Sequence, residues 1–69
     1  MIDPHYPDVV LAFSYRGLSI EIEQSSAEGQ LVYAAWVNYA LGSAVAVPKA
    51  WTQEDAVRRA KRWVDRKFT

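Results

Sequence analysis

The sequence predicts an α+β domain: three or four antiparallel strands, then one C-terminal helix packed on one face of the sheet, in the order β-β-β(-β)-α. Three observations carry this expectation. LSIEIEQ (Leu18 to Gln24) alternates apolar and polar residues, with Leu18, Ile20 and Ile22 pointing one way and Ser19, Glu21 and Glu23 the other, as in a strand with one wet face. TQEDAVRRAKRWVDRKF (Thr52 to Phe68) has an apolar stripe at helical spacing and a face crowded with Arg and Lys. The chain has 69 residues and no cysteine, so one small core must form without disulfide support.

Residues 1–8 read as an N-terminal arm, because Pro4 and Pro7 remove backbone donors and fix their own φ angles; residues 9–69 form the single domain. VVLAFSY (Val9 to Tyr15) is rich in β-branched and aromatic residues and predicts the first strand. Arg16-Gly17 predicts a tight hairpin into LSIEIEQ, since glycine accepts positive φ. SSAEGQ (Ser25 to Gln30) predicts a polar loop. LVYAAWVNYA (Leu31 to Ala40) predicts a third strand with aromatics on both faces. Tyr33, Ala35, Val37 and Tyr39 share one face, while Val32, Ala34, Trp36 and Asn38 share the other, and alternation does not choose which set is buried. After LGS (Leu41 to Ser43), AVAV (Ala44 to Val47) predicts a short last strand that Pro48 stops.

The helix is expected over residues 53–67. Thr52 is a suitable N-cap, and Asp55 three residues on supplies an acidic version of the capping box. Glu54 and Asp55 lie in the first turn and Arg66 and Lys67 in the last, each sign where the helix dipole favours it. Ala56, Val57, Ala60, Trp63, Val64 and Phe68 fall within an arc of about 140°, which the apolar face of the sheet must cover. Trp51 stands where a hydrophobic staple would reach Ala56.

Formal charge is zero, but it is unevenly spread. Residues 1–48 carry five acids and one base, a balance of −4; residues 49–69 carry seven bases and three acids, a balance of +4. The apolar runs are too short to span a bilayer, and MIDPHYPD lacks the basic and apolar regions of a secretion signal, so a cytoplasmic protein without membrane partners is expected.

The residues offer little for catalysis. His5 is the one histidine and sits in the Pro-flanked arm, where nothing local fixes it as a general base. Glu21 and Glu23 share a strand face roughly 7 Å apart, which could suit Mg²⁺, but no further acid is expected to converge on them. There is no phosphate-cradling glycine-rich loop. The expectation is no enzyme, no catalytic or metal-binding residues and no cofactor.

Binding is the better-supported class. One aromatic set of the third strand must lie on the open sheet face beside the carboxylates, so Glu21, Glu23, Tyr33, Trp36 and Tyr39 are the candidate protein-binding residues. The alternative is nucleic-acid binding by Arg58, Arg62 and Arg66, spaced i, i+4, i+8, with Arg59 beside them and Lys61 and Arg16 nearby. Against it, Glu54–Arg58, Asp55–Arg59 and Lys61–Asp65 are spaced to pair along the helix, at about 0.2–0.5 kcal/mol each.

YRGLSIEIE (Tyr15 to Glu23), VYAAWV (Val32 to Val37) and TQEDAVRRAKRWVD (Thr52 to Asp65) together resemble the layout of small bacterial and phage domains with a three-stranded sheet crossed by one helix. HicB-type antitoxins and the arm-binding domains of tyrosine recombinases are of this layout, and the resemblance implies the fold. The function expected from the residues is a non-catalytic protein-interaction module, such as a small bacterial or phage regulator or inhibitor that binds a larger protein. A homodimer is expected too, because a domain this small has edge strands to protect.

Overall fold

A computed structural model describes residues 8–68 of the chain. The elements run β1 (Asp8–Tyr15), β2 (Leu18–Ala27), β3 (Gln30–Tyr39), β4 (Gly42–Ala50) and α1 (Gln53–Lys67). The four strands form an antiparallel meander in the order β1-β2-β3-β4, so β1 and β4 are the edges. The thin dimension of 15 Å accommodates one sheet and one helix, with no third layer among the described residues. β1 begins at Asp8, and the remainder of the expected arm lies outside the described residues.

Turn chemistry explains the meander. Arg16 and Gly17 have φ of 54° and 81°, and Glu28 and Gly29 have 53° and 78°. Two successive left-handed residues make a type I′ turn, whose twist matches that of the flanking strands. The expected six-residue loop at Ser25–Gln30 therefore shrinks to Glu28-Gly29, and the strands pair as far as Ala27↔Gln30. The third hairpin closes at Tyr39↔Gly42, where Gly42 takes φ of 140°.

Pro48 does not end β4. The strand continues to Ala50, because β4 is an edge and Pro48 falls in an irregular stretch between the pairs Ala35↔Val47 and Tyr33↔Ala50. A proline on an edge costs no ladder bond when its nitrogen faces away from the neighbouring strand.

The helix spans the expected residues, and Thr52 caps it by accepting from the Asp55 amide at 3.0 Å. Ala56, Ala60 and Val64 are fully buried, with Val57 and Trp63 packed beside them. They meet Ile20 and Ile22 of β2, Ala35 and Val37 of β3, and Val47 and Ala50 of β4 in one apolar cluster. The helix packs chiefly on β4 and β3 and less on β2. Trp51 is 58% exposed under the Lys49 ammonium, 4.9 Å from its ring centre, and so does not serve as the expected staple.

The structure thus settles which face of β3 is inside. Ala35 and Val37 are buried, and Tyr33 and Tyr39 pack at the rim of the same cluster. Tyr39 also meets Phe68 edge-on at 5.8 Å, and Phe68 meets Trp63 at 6.1 Å. Trp36 is on the other face.

The turns make a direct test available. Glu28 holds a left-handed conformation that asparagine tolerates better, and Asn-Gly is the favoured type I′ pair. Glu28→Asn is expected to raise stability by about 0.5–1 kcal/mol in urea unfolding. A lowered midpoint would contradict the turn assignment.

Candidate functional site

The register assembles the face of the sheet opposite the helix row by row. Ser14, Ser19, Asn38 and Ser43 pair in succession across β1 to β4 and form a row of small polar residues. The next row is Ala12, Glu21, Trp36 and Val45, and beyond it Val9, Glu23 and Ala34 line up. No described element lies over these rows, and Val9 and Val45 are 38% and 41% exposed.

Trp36 is held in place on this face. Its indole N–H donates to Glu23 Oε1 at 2.5 Å, although Trp36 stands opposite Glu21. The bond therefore runs diagonally, and the indole leans along the strands towards Ala34, the residue opposite Glu23. A small residue there leaves room for the ring. The bond takes up one carboxylate oxygen of Glu23 and leaves the acidic character of the row intact.

Of the candidate protein-binding residues, the structure brings Glu21, Glu23 and Trp36 together. It removes Tyr33 and Tyr39 from the open face, because strand alternation puts them with Ala35 and Val37 against the helix. Val45 joins the open face instead. Its position was not legible, since alternation sets Val45 on one face with Val47, whereas a register shift between Ala35 and Trp36 parts them and leaves Val47 in the core and Val45 on the open side.

The other exposed surface is the outer side of the helix. Arg58 pairs with Asp55 rather than with Glu54, and Arg59 bonds both Asp55, at 3.3 Å, and the Lys49 carbonyl, at 3.1 Å. The Arg58 bond, opposed by partial burial and assisted by Arg59, holds the Asp55 carboxyl below the usual carboxylate range. Lys61 lies over the Phe13 and Tyr15 rings, at 5.7 and 5.5 Å. Arg62 and Arg66 are also exposed. Two members of the expected arginine set are thus committed to Asp55.

Asp65 ties the helix to the first hairpin. The Tyr15 hydroxyl donates to its two oxygens at 2.9 and 3.0 Å, and Arg16 Nη1 donates at 3.0 Å. The turn that puts Arg16 at positive φ thereby also aims its side chain at the helix. Arg16 first, and then Tyr15, hold the Asp65 carboxyl below its ordinary range, against some desolvation. The bond to Asp65, followed by burial, pushes the Tyr15 hydroxyl up. Fifty positions separate these partners, so no local sequence pattern announces them.

Among the described residues, no polar or charged side chain is buried and no group of three or more His, Cys, Asp or Glu could hold a metal ion. His5 lies outside the described residues. No described helix is long and apolar enough to cross a membrane. Comparison with protein-family models, with curated proteins and with solved structures finds no match to this chain.

The clamp at Asp65 gives stability a pH signature. A lowered carboxylate pKa contributes stability that is present above the unfolded value, about 4, and lost as pH falls through the folded one. A raised tyrosine pKa contributes stability that is present below about 10 and lost as pH rises through the folded value. Thermal melts of Asp65→Asn should show a lower Tm at neutral pH and shallower losses on both the acid and alkaline sides. Limbs identical to wild type would mean that the clamp does not form.

Proposed function

We propose that this domain is a non-catalytic protein-interaction module that docks its open sheet face on a larger protein. The carrying observation is the row Ala12–Glu21–Trp36–Val45, which sets an indole anchored by Glu23 among small, apolar and acidic neighbours on an uncovered face. Tryptophan is among the commonest residues at binding hot spots, and one already held by a hydrogen bond loses less freedom on docking. The two carboxylates favour a partner whose contact surface is apolar at its centre and rimmed by Lys or Arg. A small bacterial or phage regulator or inhibitor would have this form.

Nucleic-acid binding through the helix is the second reading, and it rests on six bases among the residues of α1. The pairing of Arg58 and Arg59 with Asp55 weakens it, because those guanidinium groups already have an anionic partner. Fewer uncommitted cations mean fewer phosphates neutralised and a shallower salt dependence.

One set of variants separates the two. Affinity capture from native lysate should recover a partner with wild type, and Trp36→Ala should weaken its binding by at least about thirtyfold. Glu21→Lys should weaken it too, while Arg62→Glu leaves it unchanged; circular dichroism checks that each variant folds. At low salt, duplex DNA should bind no tighter than millimolar. Capture that survives Trp36→Ala, or tight DNA binding abolished by Arg62→Glu, would overturn the proposal.

A further inference from the structure

The two edges of the sheet are built differently. β4 carries Pro48, Lys49, Gly42 at a φ of 140°, and two register shifts against β3. Such devices blunt an edge against the addition of another strand. From Leu11 to Tyr15, β1 has none of them: its register against β2 is unbroken, and LAFSY contains no proline, glycine or charge. Its one irregularity lies upstream, between Val9 and Leu11.

We propose that this Leu11–Tyr15 edge pairs antiparallel with the same edge of a second copy, joining two four-stranded sheets across a two-fold axis at Phe13. This deepens one part of the interaction-module reading, self-association, and uses a surface distinct from the open face.

The register follows from the hairpin. In a two-residue turn the flanking pair, Tyr15↔Leu18, exchanges both backbone bonds, and bonded and non-bonded pairs then alternate. Phe13 and Leu11 therefore spend their backbone groups on β2, whereas the N–H and C=O of Ser14 and Ala12 point outward. An axis at Phe13 sets Ala12 opposite Ser14 of the second copy, and Ser14 opposite Ala12, so all the outward groups of this segment are satisfied. An axis at Ser14 would leave Ala12 facing the turn residue Arg16 of the second copy.

The side chains suit the same axis. Leu11, Phe13 and Tyr15 are only half-buried on the helix side, because α1 packs chiefly on β4 and β3. A groove of about 390 Å³, lined by Leu11, Val57, Arg58 and Lys61 among others, opens beside them. Pairing brings Phe13 against its own image as a non-bonded cross-strand pair, the closer kind, and sets Leu11 opposite Tyr15. On the other face only Ala12 and Ser14 meet. No charged residue of the segment itself is brought opposite its own image, and the charge nearest the axis is Lys61, over the Phe13 ring at 5.7 Å.

Sedimentation equilibrium and backbone amide exchange, both on the full chain, test the proposal. Wild type should show twice the monomer mass, with the Ala12 and Ser14 amides gaining protection as concentration rises. Ser14→Pro removes an outward donor without touching the β1–β2 ladder, and should raise the dissociation constant by about tenfold or more. Trp36→Ala should leave the mass unchanged. A monomer at millimolar concentration with freely exchanging Ala12 and Ser14 amides would overturn the proposal and leave this edge open to a foreign strand. A dimer whose Ala12 and Ser14 amides stay unprotected would also overturn it. An association abolished by salt and by Trp36→Ala would point to contact between helix and open face instead, and the amide measurement on wild type decides even if Ser14→Pro fails to fold.

Discussion

Close packing of α1 on the sheet through small side chains is the constraint on which the other features depend. Ala56 and Ala60 on the helix, and Ala35 and Ala50 on β3 and β4, are all at most 1% exposed. Four alanines at the centre of one interface leave space there for Val37, Val47, Val64 and the two isoleucines, while the Trp63 indole packs only at the margin, partly buried. The face of β3 that carries Ala35 must therefore be inside, and Trp36 must be outside. Because α1 lies mainly over β4 and β3, the core-side residues of β1 are left half-covered. The candidate docking face and the candidate pairing edge are both consequences of where the helix sits.

The same placement separates the charges in space. α1 carries six bases and three acids, whereas the open face carries Glu21 and Glu23. Net charge is zero, so each sign gives a partner an orientation to read rather than a nonspecific attraction. The bonds from Tyr15 and Arg16 to Asp65 pin the C-terminal half of the helix to the first hairpin. They also fix the direction in which the helix, lying mainly over β4 and β3, crosses towards the β1–β2 turn.

Much of this architecture is legible in the residues. The alternation of LSIEIEQ and the cap and stripe of the helix place those elements, because each signal is local. β3 defeats the same logic: both of its faces carry aromatics, and only the alanines facing it from the helix decide between them. Pro48 misleads for a related reason, since whether proline ends a strand depends on whether that strand is an edge. The open face was half legible. Glu21 and Glu23 follow from alternation, Trp36 from the excess of aromatics, and Tyr33 and Tyr39 were placed with them only for want of the tertiary contact. The Asp65 clamp and the place of β1 at an edge of the sheet depend on chain topology, which short-range patterns do not encode.

Neighbouring alanines on β3 give the most direct test of which face the helix covers. Ala35 is fully buried and Ala34 lies on the open side. In urea unfolding, Ala35→Leu should cost about 1–3 kcal/mol, as overpacking of a filled interface does, and Ala34→Leu distinctly less. The reverse order would put Ala34 and Trp36 against the helix, and would contradict the docking face and the placement of the core together.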